Sequence, residues 1–474
     1  MTEIARRASV LIAVAALVAI GGMVDTLVGR PVPAHPAPPP AAAGDLIAPV
    51  GAESSAWYCV GGTDAGGGAV ATISLTNPTS RPVTGTVRAV ASNGHVGMAA
   101  VTVPAGSTTS VVPTQVAGAG PAAATVELDG GGVAVTQTVS GPLGWSSAPC
   151  ASTTSDHWYF AHASTASGDT AVLTLYNPGA TVAIADVTLV TSTAGTLQPA
   201  GYQEVDLPPG AFVSENLGDH AQNDPSVATE VETLSGTVVA AQLQTFGQPA
   251  HGGLALVSGS GAAPSWSFPQ STVVDGGSVV FRVLNPSATT ARVTVSLGLQ
   301  SGRAEPVSLT VPPGSVASLD GSTMARIPAN VAFGITFTAA GGIGIVVSRE
   351  VVAPAAAPVP QVGEVPGVAG SSPGWLVVAV APPGTGNYSL AVLDLSGAPV
   401  SLTVRAWTGG AARPVRGLDG VTVEPGVPLV LGPTPAVPAG MLEISAEGPV
   451  SVEFDPVPVG SPGVEVTPAL PWTG

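Results

Sequence analysis

One spacing constrains this chain more than any other feature: tryptophans at 57, 158, 266 and 375 recur at intervals of 101, 108 and 109 residues. Self-similarity on that scale means successive units of domain size. Behind each tryptophan lies an alternating apolar stretch that ends in Asn-Pro or its equivalent: Ile73 to Pro78, Leu173 to Pro178, Phe281 to Pro286 and Leu390 to Leu395. Apolar side chains stand two and four positions before Asn77, Asn177, Asn285 and Asp394, the period of a strand with one buried face. Ten residues later Val87, Val187, Val295 and Val404 each sit inside a second alternating stretch. A turn follows at Pro104–Gly106, Pro208–Gly210 and Pro312–Gly314, with Glu424-Pro425-Gly426 in the fourth unit.

Units of about 100 residues, with roughly six to eight short strands and turn signals every ~8–12 residues, predict an all-β chain of immunoglobulin-like β-sandwiches. The composition agrees: Val, Ala, Leu and Ile dominate, Thr and Ser fill the polar slots, and Gly (61) and Pro (47) punctuate them. Four tandem domains are expected, at 45–152, 153–262, 263–353 and 374–474. A Pro/Gly-rich linker at 354–373 should act as a flexible joint before the fourth and most diverged copy. The repeating tryptophan is read as a core anchor, with ligand stacking as its alternative. The Asn-Pro elements are read as turn chemistry, the Asn side chain capping a bend where Pro stops the strand.

The N-terminus reads differently. Arg6 and Arg7 precede an apolar run from Ala8 to Val24, which marks an export signal with its basic side in the cytoplasm. Residues 1–30 are therefore expected to form a transmembrane or signal helix; small-residue cleavage sites behind it are poor, which favours an uncleaved anchor. The stretch 31–44 is a Pro/Ala spacer that could extend roughly 40 Å as polyproline II.

The charge excludes one partner class. The chain has no lysine, 13 arginines, 30 acids and a formal charge of −17. Such a surface cannot neutralise phosphates, so nucleic-acid binding is rejected. No Arg or Lys lies between Arg88 and Arg282, a one-sign field that keeps a protein soluble or steers cationic partners.

Cys59 and Cys150 are the only cysteines. They lie at the start and end of the first unit, in a chain bound for an oxidising compartment, and lack metal or redox spacing; a disulfide is expected. No catalytic, cofactor or metal residues are assigned. Gly370-Ser-Ser-Pro-Gly374 matches G-x-S-x-G but sits in the Pro/Gly joint without the strand–helix context a nucleophile needs. His157 and His162 are an odd number apart and so would face opposite sides of a strand. Glu215 to Asp224 clusters oxygen ligands in a loop, for which solvated loop and calcium site are the two readings. Leu470-Pro-Trp-Thr-Gly474 spells a cell-wall sorting signal without the hydrophobic stretch and basic tail that signal requires.

With its basic-then-apolar start, Pro/Ala spacer, Trp-started β-repeats and L-x-N-P elements, the chain resembles a family of secreted or membrane-anchored proteins of unknown function from high-GC Gram-positive bacteria, over roughly 45–470. The resemblance implies the cell envelope and transfers no active-site residues. The expected function is an extracytoplasmic structural or protein-interaction role without catalysis or cofactor, with an envelope protein or cell-wall polymer as partner and the membrane met only through the N-terminal helix. The alternative is a glycan- or polymer-binding accessory of cell-wall assembly, which would need exposed Trp or Tyr side chains.

Overall fold

Alternation in the first copy becomes eight strands: β1 (Ser55–Cys59), β2 (Val70–Asn77), β3 (Val83–Ala91), β4 (Val96–Val103), β5 (Ser107–Val111), β6 (Ala122–Leu128), β7 (Ala134–Gly141) and β8 (Gly144–Pro149). They form two antiparallel sheets of order β1-β6-β3-β4 and β5-β2-β7-β8. The computed structural model describes residues 47–62, 69–118, 120–248, 251–354, 362–378, 387–408, 411–434, 440–457 and 467–472. The expected N-terminal helix and the spacer lie outside these residues. Among the described residues no helix is long and apolar enough to cross a membrane.

Ile73 and Leu75 of β2 meet Trp57, Val87, Val126 and Val135 in one buried cluster, so the two sheets share a core. The same pairing order recurs downstream. In the second copy His157–Phe160 pairs with Val227–Ser235, and that strand pairs with Ala183–Thr191. In the third, Ser265–Thr272, Ala332–Ala339 and Ala291–Leu299 repeat the arrangement. In the fourth, one long strand, Met441–Val457, serves as both sixth and seventh strand by pairing with Ser372–Val378, Val400–Thr408 and Asn387–Asp394.

The chain is all-β, but its pairing corrects the immunoglobulin-like expectation. In that fold the first strand neighbours the second, and the seventh neighbours the sixth. Here β1 pairs with β6 and β7 with β2, so the first and seventh strands have exchanged sheets. Alternation reports which face of a strand is buried, and is silent about its neighbour.

The linker expectation is corrected over its described part as well. Val362–Pro366 is an edge strand on Val346–Val352, in the place β8 holds in the first copy, and Val368–Ala369 pairs with Ser265–Thr272. A proline is tolerated there because an edge strand has one side without ladder partners.

The two landmark motifs turn out to be one device. Asn77 Nδ2 donates to the carbonyls of Arg81 (2.7 Å) and Val103 (3.0 Å) while its Oδ1 accepts from the Thr79 amide. Asn177 bonds Thr181, Leu207 and Gly179 in the same way, and Asn285 bonds Thr289, Val311 and Ser287. Each buried Asn thus ties the end of the second strand to the carbonyl just before the Pro-x-Gly turn. Asp394 keeps only the acceptor half: its Oδ1 takes the Ser396 amide at 2.6 Å, and its buried Oδ2 has no partner among the described residues. Asp394→Asn would restore the donor, and is expected to stabilise the fold by about 1–2 kcal/mol. Urea unfolding checks this; an unchanged or lower midpoint would show that the fourth copy does not use the device.

Candidate functional site

The copies close on one another. Thr125 of the first bonds the Tyr176 hydroxyl of the second (2.8 Å), and Ser258 Oγ of the second donates to the Pro149 carbonyl of the first (2.7 Å). The second meets the third through His162, and the third meets the fourth through Arg349. The fourth returns to the first: Leu376, Val378, Met441, Leu470 and Trp472 join the core cluster that holds Trp57, Cys59 and Cys150. The tandem copies therefore form a closed circuit, because apolar faces left over on the first and fourth copies bury each other.

At the second seam His162 is fully buried. Its Nδ1 faces Glu364 Oε2 at 3.2 Å, and its Nε2 faces Glu350 Oε2 at 3.1 Å and the Pro225 carbonyl at 3.3 Å. Both ring nitrogens meet only acceptors, so both carry hydrogen and the ring is a cation. Burial pulls its pKa down, but Glu364 and Glu350 outweigh burial and the nearby Arg282, and it lies above the ordinary histidine value. At the third seam Arg349 donates to the Gln270 carbonyl, to Ser271 Oγ (2.9 Å) and to Glu453, whose other oxygen accepts from the Gln270 amide (3.1 Å). The guanidinium also lies 5.2 Å over the Phe268 ring.

Where the copies converge is a cavity of 420 Å³. Its wall comes from all four: Ala148, Leu256, Trp266, Val365, Trp375 and Pro471 among others. Apolar side chains dominate, and Glu453, which also lines it, is held by Arg349.

The residues singled out in the sequence are distributed otherwise. Cys59 and Cys150 form a disulfide, their Cα atoms 4.6 Å apart. Ser372 begins the strand Ser372–Val378, and its Oγ accepts from the Gly374 amide at 3.2 Å. His157 stacks on Tyr159, and the acceptors that hold His162 are Glu350, Glu364 and Pro225. Asp224, the last acid of the loop considered for calcium, is buried, with its oxygens taken by the amides and hydroxyls of Ser192 and Thr193 and by the Ser226 amide. Burial alone would raise its pKa; these hydrogen bonds reverse the sign and hold it below the usual aspartate value. No group of three or more His, Cys, Asp or Glu able to hold a metal occurs among the described residues. Leu470 and Pro471 pair with Leu376 and Trp375, Leu470 and Trp472 are buried, and residues 473–474 of that sorting-signal match lie outside the described residues.

The seam residues were missed, although a signal existed. Gln137, Gln242 and Arg349 occupy one position, opposite Ile73, Leu173 and Phe281. Each donates to a carbonyl near the end of the first strand: Val60 and His162 lie just past it, and Gln270 lies within it, where the register shifts. A polar side chain recurring at an inward strand position marks a built-in bond.

The solved structures of known proteins are only loosely similar. The crystal structure of Thermotoga maritima 1070 matches at 13% identity over 23% of this chain and 95% of that one, with a TM-score of 0.21. A tetra-tandem repeat from the extending region of a large adhesion protein matches at 12% identity over 89% of this chain and 100% of that one, with a TM-score of 0.12. No curated protein matches. A family profile does match, over residues 124–413, which is more than half of the sequence. The chain belongs to the family of unknown function DUF5719.

Proposed function

We propose that this is a non-catalytic, extracytoplasmic interaction protein, in which four two-sheet sandwiches bounded near 45–152, 153–262, 263–371 and 372–474 form one scaffold tethered by the N-terminal segment. The observation that carries this reading is where the buried polar chemistry goes. Buried His162, Arg349, Glu364 and Glu453, with half-buried Glu350, are committed to one another across seams, so they hold copies together. Glu127, Asp129, Asp156, Glu204, Asp206 and Glu232 remain exposed on the first two copies, a surface suited to a cationic envelope partner. Every tryptophan is buried or half-buried, and none of the exposed large apolar side chains among the described residues is aromatic. The glycan-binding reading therefore lacks the stacking platform it called for.

Compartment is the decisive test. Cells producing the native protein are lysed in alkylating reagent without reductant, and the cysteine peptides are weighed. An exported protein is expected to leave Cys59 and Cys150 unmodified and to be cleaved by protease added to intact protoplasts. Alkylation of both cysteines, with protection from external protease, would place the protein in the cytoplasm and end this reading.

A further inference from the structure

Glu350 and Glu364 stand directly opposite each other where Val362–Pro366 pairs with Val346–Val352. Like charges facing across an antiparallel pair oppose that pairing. What lies between them is a side chain from another copy: His162, bonded to Glu364 on one ring nitrogen and to Glu350 on the other. Arg282 adds a weaker contact to Glu350 at 3.6 Å. The other charged group facing this pocket, Asp169, is engaged by Ser164 Oγ (2.6 Å) and the Gly247 amide (3.1 Å). The histidine cation is thus the chief neutralising charge for two carboxylates at a strand edge, Glu364 buried and Glu350 half-buried.

We propose that His162 is a proton-operated latch that keeps the edge strand Val362–Pro366 on its sheet and, through that strand, keeps one wall of the cavity between the copies in place. The link to the cavity is direct, because Val365 and Pro366 form part of its wall and the following residues, to Ser372, continue it. When the ring loses a proton, one of its two carboxylate bonds becomes a contact between two acceptors. Glu350 and Glu364 then face each other with Arg282 alone, and the edge strand is the least anchored partner. Its backbone pairs on one side only, and the chain continues from it into the fourth copy. The direction follows from linkage. A histidine whose folded-state pKa is raised contributes stability that is complete below its unfolded value, and loses it as pH rises through the folded value. The latch is therefore closed in acid and released as pH rises through the raised folded-state value.

Hydrogen exchange on the full chain tests this, read as protection factors so that the intrinsic pH dependence of exchange cancels. Between about pH 6 and about pH 9, protection in a peptide covering 362–369 is expected to fall at least ~10-fold in the wild type, while the strands of the first copy change little. Glu364→Gln keeps the shape, can still hydrogen-bond the ring, and removes the repulsion. In that variant the peptide is expected to stay protected across the range. Should Glu364→Gln fail to fold, Glu350→Gln serves the same purpose from the other strand. A wild-type peptide with constant protection overturns the proposal, as does a fall of equal size in wild type and variant.

Discussion

Trp266→Ala is expected to cost about 3–5 kcal/mol, read as a lowered urea midpoint for the third copy. The side chain is almost wholly buried, and its cluster includes Phe268, Phe281 and Phe337. Its Nε1 donates to the Ile345 carbonyl at 2.6 Å, stapling the first strand to the start of the seventh. Trp158 does the same to Val238 at 2.8 Å, and Trp375 to Val450 at 3.0 Å. Trp57 is the exception, its indole nitrogen having no partner among the described residues. Phenylalanine substitution separates the two contributions. Trp266→Phe keeps an aromatic ring but removes the indole hydrogen bond, leaving the Ile345 carbonyl with the Ala263 amide alone, so it should cost about 1 kcal/mol more than Trp57→Phe. Equal losses would mean that ring volume alone matters and that the staple contributes nothing.

The repeat was legible because its signals are local. A buried strand face has period two, and the positions two and four before Asn77, Asn177, Asn285 and Asp394 are all essentially inaccessible. The Asn and the Pro-x-Gly turn were visible separately. Their union was hidden, because Asn77 and Val103 lie in different strands and only folding brings them to 3.0 Å. Sheet order was hidden for the same reason: nothing in the pattern of β1 distinguishes β6 from β2 as its neighbour. Composition misled at 362–366, where Gly363 and Pro366 suggested a joint, yet Val362 and Glu364 are both buried. A buried Glu inside an apparent linker is the kind of residue that implies a partner cation, and its partner lies 202 residues upstream in another copy.

Removing the disulfide is the other change with a large expected effect. Its cysteines are 91 residues apart, so the bond restricts a long loop of the unfolded chain, and losing it should cost about 4–5 kcal/mol in the chain-entropy account. The best replacement keeps the packing. Cys59 stands where the other copies carry Phe160, Phe268 and Val377, so Cys59→Val with Cys150→Ala removes the bond and leaves an apolar core. The location adds a second consequence. Both cysteines belong to the cluster in which Leu376, Leu470 and Trp472 of the fourth copy meet the first, which makes the bond part of the closure between the two ends of the repeat array. Loosening the first copy should therefore loosen the fourth, while the Arg349–Glu453 seam keeps the fourth attached to the third. Hydrogen exchange of the double variant is expected to lose protection in β1 and β8 and, together with them, in Thr467–Pro471. If the first copy alone became labile, the two ends would be independent neighbours, and the closed circuit would be an arrangement with no energetic coupling behind it.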